Sequence, residues 1–380
     1  MPENNQKHVH IPQPINGTKT GLKHRKKLDS GTLWVLITGL AAGVLAVGFI
    51  GVLVWYNILL SPLGGDLGQM KKITIAPGST SSQISKELEK QGIIRSATTF
   101  DLYVRLSGKN NILKAGSYRL SPAESTQKIV DHFVKGSVDQ FTVTFYPGAT
   151  LADNTDNSKK YDVTTVLRKA GFSSSEIADG LTAKYDDSSY AMLFVGKPAA
   201  ADLEGYVYGE TYNFNAGASV HDILESVFKE FYAVVQKNNL VQSFSKHDLN
   251  LYQGITLASI VQREAGKPGD QKQIAQVFYS RLNIGMTLGS DVTYQYIADK
   301  TGVARDPNLD SPYNTRRFKG LPPGPIAVPG LTALQAVANP ASGDYLFFLS
   351  GDDNVTYFAK TDAEHRANIV AHCKIKCSTP

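Results

Sequence analysis

The chain has 380 residues, 42% of them hydrophobic and 19% charged, with two cysteines. It is too apolar to be disordered and too poor in cysteine to be a disulfide-stapled scaffold, and its length allows an anchor plus one or two globular domains. The net charge of +5 is concentrated at the start: residues 1–30 carry Lys7, Lys19, Lys23, Arg25, Lys26 and Lys27 against Glu3 and Asp29. That leaves 33 of the 39 basic and 32 of the 34 acidic side chains for the remaining 350 residues. A body so nearly neutral has no room for the large basic face of a nucleic-acid binder.

Residues 1–31 form a basic tail, and from Gly31 to Gly65 no charged residue occurs. Leu33 to Leu60 is long enough to cross a hydrocarbon layer of roughly 30 Å as a helix, so a single transmembrane helix is expected over 32–60. A secretory signal peptide has an apolar stretch of only about 7–15 residues before its cleavage site, which fits poorly here. Trp34 and the Trp55-Tyr56 pair stand where interfacial aromatic belts do. The Lys/Arg cluster before the span places the N-terminus in the cytoplasm and everything after about residue 61 outside it, at the cell membrane.

Beyond the span, KITI (72–75) and FTVTF (141–145) are short β-rich runs, each followed by a Pro-Gly turn, IAPGST and FYPGAT. Each reads as a strand, a turn and then a helix, which predicts two modules with a boundary near residue 138. In the first, over 70–137, Ile84 and Leu88 before Gly92 outline one helix. Phe100, Tyr103, Val104 and Leu106 outline a second, and Ile129, Val130 and Phe133 before Gly136 a third. GSYRL (116–120) reads as a strand. Residues 151–200 are polar and irregular, with a helix-like run at Val163 to Arg168, and read as a surface insertion. Ser219 opens the most regular helix, with Val220, Ile223, Leu224, Val227, Phe228, Phe231 and Val235 on one face and His221 solvated in its first turn.

Candidate chemistry begins at LEGYVYGETYNF (203–214), where Glu204, Tyr206, Tyr208, Glu210 and Tyr212 alternate. A strand would project all five on one face. Carboxylates interleaved with aromatic rings suit carbohydrate, and the same alternation equally suits an amphipathic strand with solvated charges. TLASIVQREA (256–265) is more pointed, because Leu257, Ile260, Val261 and Glu264 share the i, i+3, i+4, i+7 stripe of a helix. A carboxyl ending an apolar face is desolvated, which raises its pKa toward the protonated state that a general acid needs. The residues alone leave open a helix-end Glu bound by backbone or Arg. Arg263 points away from the stripe, toward solvent.

Asp270 is expected to cap a second helix carrying Ile274, Val277, Phe278 and Leu282. After TLGSDVTYQY (287–296) and SPYNT (311–315), the segment GLPPGPIAVPG (320–330) holds too many prolines and glycines for a helix or central strand, so it is an ordered loop or linker. Ser243-Phe-Ser-Lys246, Ser290-Asp291-Val292 and Lys300-Thr301-Gly302 imitate the SxxK, SDN and KTG order of acyl-serine enzymes. Lys300 follows Asp291 far too closely for that fold. Cys373 and Cys377, in the tail 373–380, have no zinc-ligand spacing around them; a disulfide and two free thiols both remain open. No metal or other cofactor is expected.

Seven segments in order resemble the endolytic murein transglycosylase (YceG-like) family over roughly residues 70 to 372. They are LEGYVYGETY (203–212), LASIVQREA (257–265), VFYSRLNIGMTLGSDVTY (277–294), SPYNT (311–315), GLPPGPIAVPG (320–330), ANPASGDYLFFL (338–349) and the late Phe358 and His365. The chain departs from the family at Gly209-Glu210, where many relatives have Pro-Asp, at Gln262, where Glu is common, and in residues 151–200 and the cysteine tail.

The resemblance implies an α+β architecture: the N-terminal transmembrane helix, a small LysM-like α/β module and a mixed α/β catalytic domain over 138–372. It makes Glu264 the catalytic residue and places Glu204, Tyr206, Glu210, Tyr212, Asp291, Tyr313 and Asn314 around a glycan cleft. It implies peptidoglycan strands as substrate, the membrane as anchor and glycan synthases, the penicillin-binding proteins, as partners. The reaction it implies cleaves between N-acetylmuramic acid and N-acetylglucosamine, leaves 1,6-anhydro ends and terminates elongation of nascent strands. Two alternatives are a lysozyme-type hydrolase, with Asp291, Glu204 or Glu210 as second carboxylate, and a non-catalytic wall-binding anchor.

Overall fold

The computed structural model describes residues 30–65, 70–136, 140–151, 161–265 and 268–377, so the basic tail and the 137/138 boundary lie outside the described residues. The chain forms two compact units, Met1–Ile58 and Leu59–Pro380. Helix α1 (Ser30–Leu60) is unbroken, and no residue of its stretch Trp34–Leu60 is buried. Its 27 residues rise about 40 Å, enough to cross a membrane.

The second unit opens with β1 (Lys71–Ile75), α2 (Ser81–Lys90), α3 (Ala97–Leu106), β2 (Gly116–Leu120) and α4 (Thr126–Lys135). Thr80, Ser96 and Ser125 each accept a backbone N–H three residues on, which starts the three helices where the sequence turns apolar. Gly136 ends α4 in the left-handed region at φ 58°. The strands pair antiparallel with Ile73 opposite Tyr118. Their inward side chains close on Ile84, Leu88, Phe100, Val104, Ile129 and Phe133 to make a core of their own.

A larger core follows. Strand β3 (Gln140–Thr144) leads to α5 (Val163–Lys169), α6 (Ser174–Thr182), a 3-10 turn at Ala191–Phe194, β4 (Thr211–Asn215) and α7 (Val220–Lys237). Strands β3 and β4 pair antiparallel. The surface-insertion reading of 151–200 is overturned over its described part, because Val163, Leu167, Phe172, Ile177, Tyr190 and Leu193 are all buried in this core. Their apolar side chains are scattered among polar ones, but α6 and the 3-10 turn each bring a short edge inward onto α7. His221 is likewise not simply solvated, since its ring stacks on Tyr185 at 4.8 Å.

The core continues through α8 (Leu240–Ser245), α9 (Leu251–Glu264), α10 (Gln271–Asn283), α11 (Asp291–Thr301) and α12 (Leu331–Ala338). It is followed by a hairpin of β5 (Phe347–Ser350) with β6 (Thr356–Ala359), and then by α13 (Asp362–His372). Helix α9 is wrapped by α10, α11 and α12, which is why nearly every residue from Leu251 to Val261 is buried. Asp270 stands at the cap position of α10 without capping it; its carboxylate accepts instead from Thr356 on β6.

Arg119 joins the two cores. It projects from β2, is buried, donates to the Ala170 carbonyl, and lays its guanidinium over Phe141 at 3.7 Å and Phe172 at 4.3 Å. Burial pushes its pKa down to about 10. Lys72 adds a second tie, donating to the Gly217 carbonyl at 3.1 Å.

Candidate active site

Leu257, Ile260 and Val261 are fully buried on α9, and the stripe they form delivers half-buried Glu264 to the floor of a cleft of about 910 Å³. Its walls include Arg281, Asp291, Tyr294, Phe348 and His365. Ser290 donates its hydroxyl to Glu264 Oε1 at 2.5 Å. Ser290 is the N-cap residue of α11, yet its side chain makes no capping bond, having been turned to the carboxyl instead.

Burial pushes the Glu264 pKa up to about 6, and the charge of Asp291 adds to the rise. The Ser290 hydrogen bond, Arg281 and Arg263 pull the other way. Glu264 is thus divided between acid and carboxylate near neutral pH, the condition for a group that must first give a proton and then take one. Arg281 is buried and tied to the carbonyls of Leu346 and Leu288, so its charge is fixed beside the cleft.

Removing the Ser290 hydroxyl gives a direct check on this arrangement. Hydrogen bonds to charged groups are worth about 1.5–3 kcal/mol, or upward of one pH unit. Ser290→Ala is expected to raise the Glu264 pKa further and to move the alkaline limb of the activity profile up by about one unit. A pH–rate profile checks it, and an unmoved limb would show that Glu264 does not set it.

Two motif segments act as bracing. In SPYNT, the carbonyl of Thr315 accepts from Gly289 N at 2.8 Å and its hydroxyl lies 3.0 Å from that of Thr293, which clamps the turn bearing Ser290. Asn314 is buried and donates to the carbonyls of Pro307 and Leu309. GLPPGPIAVPG is an ordered, largely buried loop laid along α9: Pro323 O accepts from Tyr252, Ile326 N donates to Ser259 Oγ, and Gly330 N donates to Gln262 Oε1.

Of the eight residues that the resemblance assigns to the catalytic site and glycan cleft, only Glu264 and Asp291 line this cleft. Asp291 is paired with Arg316. The strand reading of LEGYVYGETYNF is corrected, because residues 203–210 form turns, Gly205 sits at φ 82°, and β4 begins only at Thr211. The alternation therefore does not gather one face. Tyr206 is fully buried against Phe194 and Tyr252, and Tyr212 is buried with its hydroxyl donating to the Tyr208 carbonyl. Glu210 is exposed away from the cleft, where its carboxylate accepts from Thr211 N. Tyr313 is half-buried, 5.5 Å from the Tyr296 ring. None of these four presents a surface to the Glu264 cleft.

Glu204 is buried as well, accepting from Leu151 N at 3.2 Å and from the Tyr296 hydroxyl at 3.1 Å. Tyr296 in turn accepts from Lys300, which is paired with Asp202. Burial pushes the Glu204 pKa up to about 7. Its ordinary value is about 4.3, so between these values the folded state holds a proton that the unfolded state releases, and stability falls as pH rises through that window. Glu204→Gln is expected to match the parent near pH 4 and to exceed it at pH 8 by an amount on the order of 3 kcal/mol. Unfolding midpoints across that range would measure the difference, and a parent with no slope would refute it.

Sequence reasoning missed Ser290, Arg281 and Arg316. Ser290 had a local signal, a Ser immediately before the first-turn Asp291 of a helix. The other two come from surface-like contexts, and only the fold brings Arg281 near Glu264 and pairs Arg316 with Asp291. Cys373 and Cys377 form a disulfide, and Asp352 accepts from the backbone N–H of Lys374, Ile375 and Lys376 inside that loop.

The model of the family described as YceG-like matches residues 73–371. The endolytic murein transglycosylase of Bacillus subtilis (strain 168) is 31% identical over 331 residues, 83% of this chain and 88% of that protein. The endolytic murein transglycosylase of Streptococcus pneumoniae serotype 2 is 29% identical over 90% of this chain, which spans only 64% of that longer protein. A crystal structure of a putative yceG-like protein from Listeria monocytogenes matches with 30% identity and a TM-score of 0.50, covering 79% of this chain and 98% of that one. With a matched segment running from within β1 to within α13 and holding all of the cleft lining but Lys376 and Cys377, the chain belongs to the YceG-like family.

Proposed function

We propose that this protein is a membrane-anchored endolytic murein transglycosylase that cuts peptidoglycan strands between N-acetylmuramic acid and N-acetylglucosamine. The observation that carries the reading is the half-buried Glu264 at the floor of an open cleft, its pKa raised to about 6 and its carboxyl bonded to Ser290. The names of the curated relatives support the same reaction class.

Protonated Glu264 donates to the bridging oxygen as the C1–O bond breaks and positive charge develops at C1. The resulting carboxylate then removes the proton from the C6 hydroxyl of the same sugar, and O6 closes onto C1 to form the 1,6-anhydro ring. Glu264 ends protonated, as it began. No water is consumed and no second carboxylate is required. Asp291 contacts the glycan from the cleft wall, whereas Glu204, Tyr206, Tyr212, Tyr313 and Asn314 act indirectly by holding the frame.

The apolar helix α1 and the basic residues before it support a single span with a cytoplasmic N-terminus and the cleft outside. The strand–helix–helix–strand order of β1, α2, α3 and β2 supports a LysM-like module over 70–137, ahead of a catalytic domain over 138–372. Glycan synthases are the proposed partners, since cutting beside the membrane terminates their products. Mass spectrometry of peptidoglycan digested by the full chain tests the reaction. Anhydro-ended fragments are expected; reducing-ended fragments would assign a hydrolase, and no cleavage would leave a binding anchor.

A further inference from the structure

One side chain in the cleft has a buried ring nitrogen with no partner among the described residues. His365 lines the cleft that contains Glu264. It projects from α13, a helix with no fully buried residue, and its ring stacks on Phe347 of β5 at 5.2 Å between centroids. Its Nδ1 is buried with no hydrogen-bond partner. Burial, and after it the positive charge of Arg281, hold the imidazole below its ordinary pKa, against a smaller opposing effect of Asp362. The ring is therefore neutral near pH 7, with one N–H and one lone pair. An unpaired N–H is costlier to bury than an unfilled acceptor, so the proton resides on Nε2 and the lone pair on the sealed Nδ1.

A neutral donor in a cleft that Phe348, Leu349 and Ile369 also line has a definite chemical complement. An acetamido group offers a carbonyl oxygen for the N–H and a methyl group for the apolar wall. A hydroxyl would use the N–H but leave the apolar wall against water, and a carboxylate would be drawn to Arg281. We infer that His365 is a substrate-binding residue of this cleft, donating from Nε2 to the acetamido carbonyl of an N-acetylated sugar. The inference rests on the glycan reading of the cleft and adds to it the group recognised and the residue that recognises it.

The test uses the full chain in detergent micelles with Glu264→Gln, so that binding is read without turnover. Isothermal titration compares a chitin hexasaccharide with cellohexaose, which is neutral and carries a hydroxyl where the acetamido group would be. His365→Phe keeps the stack on Phe347 and removes both nitrogens, and His365→Gln keeps a donor near the Nε2 position. The Phe variant is expected to bind the chitin oligosaccharide about tenfold more weakly, the worth of one hydrogen bond. The Gln variant should stay within about twofold of the parent, and all three should bind cellohexaose equally. Unfolding midpoints of the variants verify that each is folded. Equal chitin binding by the Phe variant and the parent would overturn the inference, and an equal loss toward both sugars would overturn the acetamido assignment. If the parent binds neither sugar, the glycan reading itself falls.

Discussion

Glu264→Gln is expected to lower kcat for strand cleavage about 10³-fold, the usual worth of a general acid–base group. KM should change little, because the amide keeps the shape of the carboxyl and its acceptor for Ser290. The proposed reaction needs the protonated form, and burial places that pKa at about 6. Its rate should therefore fall with rising pH above that value, about tenfold per unit. The residual activity of the variant should lose this limb, since nothing remains at that position to titrate. Folding should survive, because a half-buried charge is replaced by a neutral group of equal size. Single-turnover rates from pH 5 to pH 8 provide the measurement. A variant that kept parental kcat would remove Glu264 from the chemistry.

The second large effect lies away from the cleft, at Gly205. Its backbone is in the left-handed region at φ 82°, and a Cβ there would meet Pro325 Cβ at 2.4 Å and Cγ at 2.8 Å. Pro325 belongs to the loop that donates to Ser259 and Gln262 along α9, so the intrusion strikes the strut of the helix that carries Glu264. Strain at positive φ and overpacking each cost roughly 1–3 kcal/mol, so Gly205→Ala should destabilise by about 2–4 kcal/mol. At this chain length that corresponds to a fall in melting temperature of about 5–10 °C. Activity per folded molecule should drop as well, since Glu264 ends the braced helix. An unchanged melting temperature would mean that the loop yields freely, and would weaken the account of it as a strut.

How far the sequence alone reached differs from place to place. The strand at 116–120, the helices ending near Gly92 and Gly136, and the inward face of α7 were legible because each depends on local rules: caps, glycine stops and a 3.6-residue period. Glu264 was legible for the same reason, as one carboxyl closing an apolar stripe. The mixed α/β character followed from the same local signals.

What the sequence could not show depended on distance. Residues 203–214 alternate like a strand, but packing on the 320–330 loop bends 203–210 into turns and buries Glu204 and Tyr206 instead of presenting them. Residues 163–194 look polar because each short element spends only a few side chains on the core, and α7 is needed to collect them. Ser290 lies 26 positions from Glu264, and Arg281 and His365 stand on other elements again. Local chemistry marked Glu264 as a carboxyl closing an apolar stripe. Only the tertiary structure, by setting how deeply Glu264 is buried and which hydroxyl and cation face it, raised its pKa to about 6.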